Sequence, residues 1–97
     1  MDWNEVKDRF RQVAKEYDGK ITEFPQSIDI TLQKEGTEYS VYTQNLCVGI
    51  VLGAIKRRNS KVTGHVDWKF TEEQLVRLLE SYGFKKKEAE QLSMFDM

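Results

Sequence analysis

The stretch Ile28-Asp29-Ile30-Thr31-Leu32-Gln33-Lys34-Glu35-Gly36-Thr37-Glu38-Tyr39-Ser40-Val41-Tyr42-Thr43 decides the fold. Ile28, Ile30 and Leu32 alternate with Asp29, Thr31 and Gln33, a period of two that sends one row of side chains to a core and the other to water. Lys34-Glu35-Gly36-Thr37 breaks the period with a hairpin turn, and Tyr39, Val41 and Thr43 carry it back, so the two strands are antiparallel. Ile21 and Phe24 start the same pattern before Pro25 interrupts it.

Downstream, residues 46–56 are apolar on both alternating faces, which predicts a central strand. A short helix is the alternative, and Gly49 with Gly53 argues against it. The two glycines fall on one face, where a helix or second chain can approach closely or a bulge can form. Lys56 to Lys61 then reads as a polar hairpin loop leading into Val62, Gly64, Val66 and Trp68.

Helices flank the strands. Trp3, Val6, Phe10, Val13, Ala14 and Tyr17 form one apolar stripe over residues 2–18, with Asp2 and Glu5 as a capping-box start and Asp18-Gly19 as the stop. Thr71 with Gln74 opens a second helix whose stripe is Leu75, Leu78, Leu79 and Tyr82; Gly83 ends it, and Phe84 folds back on Leu79. The sum is an α+β domain over residues 1–84: a helix, four to five antiparallel strands, a helix, then a tail over residues 85–97.

Ninety-seven residues make one domain, and eleven aromatic side chains suffice for its core. Net charge is −1, so bulk charge selects no partner; residues 1–49 carry −3 and residues 50–97 carry +2. Cys47 is the single cysteine, which excludes an internal disulfide and fits a reducing compartment. The opening residues lack a signal-peptide pattern and no apolar run is long enough to span a bilayer, so a cytoplasmic protein without membrane association is expected.

The most specific motif lies in the tail: Gln91-Leu92-Ser93-Met94-Phe95. It resembles the peptide by which bacterial replication and repair proteins dock on the sliding clamp, the β subunit of DNA polymerase III. In that family the pattern is Gln-Leu, Ser or Asp, Leu, Phe, usually on a terminus or exposed linker. Met94 stands in for Leu, a swap of similar volume and apolarity. The resemblance implies that Gln91 anchors by hydrogen bonds, that Leu92, Met94 and Phe95 enter an apolar pocket, and that Ser93 is tolerated for its size. It implies a small adaptor or modulator of DNA replication or repair, a role that suits a phage or mobile-element protein. The competing reading makes residues 85–96 a further helix, with Ala89, Leu92 and Phe95 closing over the core.

A second candidate is the hairpin at Lys56, Arg57, Arg58 and Lys61, whose cations can contact DNA phosphates, with Lys69 extending the patch. Self-association into a homodimer is the alternative to both, because strand 46–55 and Trp68 call for more cover than two helices supply. Catalysis has little support. His65 is the only histidine, expected to face solvent or a partner; Cys47, between Leu46 and Val48, reads as a buried inert thiol; no zinc-ligand spacing or phosphate loop occurs. A non-enzymatic protein without cofactor or metal is expected.

Overall fold

The structure, a computed structural model, describes residues 2–87, and of residues 65–67 the backbone only. It is an α+β fold: α1 (Trp3–Ala14), five strands β1 (Lys20–Phe24), β2 (Ser27–Lys34), β3 (Thr37–Leu46), β4 (Gly49–Arg58) and β5 (Lys61–Lys69), then α2 (Glu72–Ser81). The strands form one antiparallel sheet in the order of the chain, each paired with the next.

The alternation works as the sequence demands. Ile28, Ile30, Val41, Thr43, Leu52 and Ala54 point to one face and are fully buried there beneath Val6, Phe10, Leu75, Leu78 and Leu79 of the helices. Thr43 is the one polar side chain in that layer among the described residues, and its hydroxyl donates to Val51 O at 2.8 Å, which removes the cost of burying it. Among the described residues, the other face of the sheet carries no helix.

Both turns at one end of the sheet have two central residues in the left-handed region: Glu35 and Gly36 at φ 51° and 78°, Asn59 and Ser60 at φ 51° and 67°. That is the turn twist that matches a right-handed hairpin. The segment 56–61 is therefore mostly strand rather than loop: β4 runs to Arg58, Asn59-Ser60 turns, and β5 starts at Lys61. The apolar run beginning at Leu46 divides as well. Leu46 pairs with Gly49 across a turn at Cys47 and Val48, and Gly49 adopts φ 141°, which favours glycine. Hydrophobicity does not mean burial here: Cys47 is exposed and Val48 is 92% exposed, so the expected buried thiol is a surface one. The sheet's irregularity falls on β5, where Gly64 and His65 together oppose Ile55, and not at the glycines of β4.

The caps set the helix directions. Asp2 Oδ1 accepts from Glu5 N at 2.9 Å, and Thr71 Oγ1 accepts from Gln74 N at 3.0 Å. Gln74 does not complete a reciprocal box, since its Oε1 is enclosed without a partner. At the other end of α2, Phe84 N donates to Leu79 O (2.9 Å) and Gly83 N to Glu80 O (3.2 Å), with Gly83 at φ 88°, the complete Schellman arrangement.

α1 stops at Ala14, four residues before the expected end, because residues 16–18 are engaged elsewhere. Asp18 N donates to Lys85 O, Lys85 N to Asp18 Oδ1 and Lys87 N to Glu16 O, an antiparallel bridge that pairs Tyr17 with Lys86. Hydrogen bonding to the body of the domain thus continues past Phe84 to Lys87. Gly19 follows at a crowded point: a Cβ there meets Ile30 Cγ1 at 2.6 Å, Ile30 Cδ1 at 2.9 Å and Phe84 Cε2 at 3.1 Å. Gly19→Ala is expected to lower stability by about 1–3 kcal/mol through overpacking. An unchanged urea midpoint in that variant contradicts the crowding.

Candidate functional site

The turns sort the surface into two ends. The β1–β2 and β3–β4 turns lie together at one end, joined by Asn45 N to Gln26 O (2.9 Å) and Asn45 Nδ2 to Gln26 Oε1 (2.9 Å). Trp3 Nε1 donates to Pro25 O at 3.0 Å, so α1 starts there too. The β2–β3 and β4–β5 turns lie at the opposite end, where α2 finishes: Tyr82 OH donates to Gly64 O at 2.5 Å and Lys34 Nζ to Gly83 O at 2.9 Å. Burial raises the pKa of Tyr82 and keeps this phenol a donor.

Lys56, Arg57, Arg58 and Lys61 all belong to this second end, but strand alternation separates them. Lys56 points to the helix face, its ammonium 6.0 Å from the Tyr39 ring and 5.6 Å from the Tyr82 ring. Arg57 points to the open face and pairs with Glu38 at 2.6 Å. Arg58 and Lys61 line a shallow recess of about 320 Å³ with Asn59 and Thr63 at the tip. Lys69 does not extend the patch. It closes β5 opposite Val51, about 27 Å along the strand from Lys61.

Two groups of cations join the hairpin that the sequence reading left out. Lys34 reaches this end through the β2–β3 turn, and residues 85–87 reach it through their bridge to residues 16–18. The Lys85-Lys86-Lys87 run is visible in the sequence; its placement is not, because the bridge joins segments with no shared pattern.

The open face has a different character. Ser27, Asp29, Ser40, Tyr42, Gln44, Ile55 and Arg57 line a basin of about 390 Å³. Asp29 is half-buried, with Oδ1 enclosed and making no hydrogen bond. Burial pushes its carboxyl up from the usual carboxylate range, and Glu38 adds to the shift. Of the large exposed apolar side chains, Phe24 (50%), Leu46 (42%) and Val62 (52%) fall on this face by register, around its rim. Trp68 falls on the helix face, packed against the core, and needs no second chain to cover it.

Gln91, Leu92, Ser93, Met94 and Phe95 lie outside the described residues, as does the side chain of His65. Among the described residues there is no group of three or more His, Cys, Asp or Glu side chains placed to hold a metal, and no helix is long and apolar enough to cross a membrane. No family model matches the chain, and no curated protein or solved structure does either.

The raised pKa of Asp29 has a definite sign in stability. The folded state holds the proton more tightly than the unfolded one, so this contribution is present at low pH and is lost as pH rises through the folded pKa. Asp29→Asn, which carries no charge to desolvate, is expected to unfold at a higher urea concentration than the wild type at pH 7. The gap should close in acid, and a variant less stable than wild type at pH 7 rules the account out.

Proposed function

We propose that this protein is a small, non-enzymatic adaptor or modulator that docks on the bacterial sliding clamp through Gln91, Leu92, Ser93, Met94 and Phe95, in DNA replication or repair in the cytoplasm. The observation that carries the reading is the five-residue pattern itself, in which Gln91, Leu92, Ser93 and Phe95 match the docking family and Met94 is a near-isostere. The described core lies within residues 6–84, and the described hydrogen bonds reach residue 87.

Burial of three apolar side chains yields roughly 5–8 kcal/mol at about 1.5–3 each, less the cost of ordering the peptide, which leaves micromolar affinity at about −6 to −8 kcal/mol. Such a contact recruits rather than locks. Bound alone, the protein either brings its domain to the clamp or occupies the pocket against other users, the second being the role that suits a phage or mobile-element protein. Titration of a bacterial clamp, read by surface plasmon resonance, is expected to show micromolar binding by the full chain and none by the Leu92→Ala/Phe95→Ala variant. No binding by folded wild-type protein to clamps from several bacteria ends the proposal.

A second reading, a homodimer through the open face, is favoured by the rim of Phe24, Leu46 and Val62. The face measures about 24 by 30 Å from strand spacing and rise, roughly 700 Å² a copy and somewhat under the ≈ 800 Å² a side of a standard interface. Its expected signature is a weak dimer: a sedimentation mass that rises with concentration in the wild type and stays monomeric in Ile55→Lys. A monomer at all concentrations dismisses it.

A further inference from the structure

Four of the five ion-paired cations among the described residues lie on the helices. Lys7, Arg9, Arg11 and Arg77 are each held in an ion pair: with Glu23 at 4.0 Å, Glu72 at 2.5 Å, Glu23 at 2.6 Å and Glu73 at 3.9 Å respectively. At the end of the sheet where α2 finishes, only Arg57 is paired among the described residues. Arg58, Lys61, Lys85, Lys86 and Lys87 are exposed and form no ion pair with another described residue.

The ordinary structural account covers part of this set. Both helices run from the Pro25 end to this one, so their negative carboxyl ends arrive together and attract cations. Lys34, on the Gly83 carbonyl, and Lys56, over Tyr82, answer that demand. Lys86 sits 5.9 Å from the Tyr17 ring. Arg58 and Lys61, out at the β4–β5 tip, contact no helix end, and a local account leaves them without a role. Among the described residues, eight cations here (Lys34, Lys56, Arg57, Arg58, Lys61 and the three at 85–87) meet five carboxylates (Glu16, Asp18, Glu35, Glu38, Glu80), before Lys15 and Lys20 beside Glu16 and Asp18 are counted. These thirteen described groups therefore carry a net +3 in a chain of net −1.

We infer that this end of the sheet, with Arg58 and Lys61 at one side and Lys85, Lys86 and Lys87 at the other, binds the phosphate backbone of double-stranded DNA without reading its sequence. Arg58 and Lys61 close the β4–β5 hairpin at one edge of the sheet, residues 85–87 bridge the segment that leads into β1 at the other edge, and Lys34 lies on β2; four strand spacings put β1 and β5 about 19 Å apart. A row of that width spans several phosphates of a duplex. Single strands are disfavoured because they are gripped by stacking on open aromatic rings, and the rings here are engaged: Tyr82 lies edge-on to Tyr39, bonds to Gly64 and carries Lys56. An anionic membrane is disfavoured because Phe24, Leu46 and Val48, three of the four exposed large apolar side chains among the described residues, belong to the opposite end, leaving Val62 alone beside the cations to insert. The inference stands apart from clamp docking, since its surface includes none of residues 91–95.

Fluorescence anisotropy of the full chain on a labelled duplex of random sequence, with no clamp present, tests it. Contact with about three phosphates predicts a log–log salt slope near −3, so binding weakens about 60-fold between about 50 and 200 mM salt. Arg58→Gln/Lys61→Gln and Lys85→Gln/Lys86→Gln/Lys87→Gln are each expected to weaken binding and flatten the slope. Lys69→Gln, which removes one cation at the far end, is expected to alter neither, with circular dichroism confirming that every variant folds. Absence of binding at 50 mM salt overturns the inference. So does binding that Lys69→Gln weakens as much as the tip variant, or binding of phosphatidylglycerol vesicles in preference to the duplex.

Discussion

Every strand of this sheet has one face that must be kept from water, and among the described residues two helices supply the cover. Phe10 of α1 and Leu75, Leu78 and Leu79 of α2 press on Ile28, Ile30, Val41, Leu52 and Ala54, and each of these is fully or nearly fully buried. At about 1.5–3 kcal/mol for each large side chain, this single layer is the main favourable term in folding. The rest follows from it. The chain needs a short path from each helix to the sheet, which sets the Gly19 contact at one junction and the Schellman turn at Gly83 at the other. With both helices spent on one face, the opposite face and the two ends of the sheet are left as the surfaces where partners can meet the protein.

Much of this was legible in the sequence because it depends on local chemistry. The alternation from Ile28 to Thr43, the left-handed turn at Glu35-Gly36, the caps at Asp2 and Thr71 and the stop at Gly83 each carry their signal within a few residues. The misreadings share a cause. α1 is shorter than its apolar stripe because Tyr17, fully in phase with that stripe, is buried from a bridge strand instead of a helix, and its partner Lys86 lies 69 residues away in the chain. Leu46, Cys47 and Val48 look like core in composition but make a turn, since a reversal between two long strands must fall somewhere and Gly49 permits it there.

The basic end was half-legible. Four cations between residues 56 and 61 are plain in the sequence, and a period of two already separates Lys56 from Arg57. What pattern alone could not supply is that Lys34 and residues 85–87 join them, because that depends on where α2 ends relative to the sheet. The same geometry ties the two proposals together. Gln91 follows Lys87 by four residues, so even a fully extended chain leaves it within about 14 Å of the basic end.

The bulge at Gly64 and His65 has a consequence for how this protein survives at high concentration. A five-stranded sheet that is not closed into a barrel offers two edges with unpaired backbone groups, each a template for growth by addition of another chain. β1 is only five residues long and runs into Pro25, which cannot donate a ladder hydrogen bond. β5 is longer, but its ladder is broken between Ala54 and Lys56, where the extra residue twists the edge and Gly64 turns through φ 66°. Neither edge is a straight, regular strand, so the described sheet presents no clean seed for fibre formation even though no described helix covers its second face.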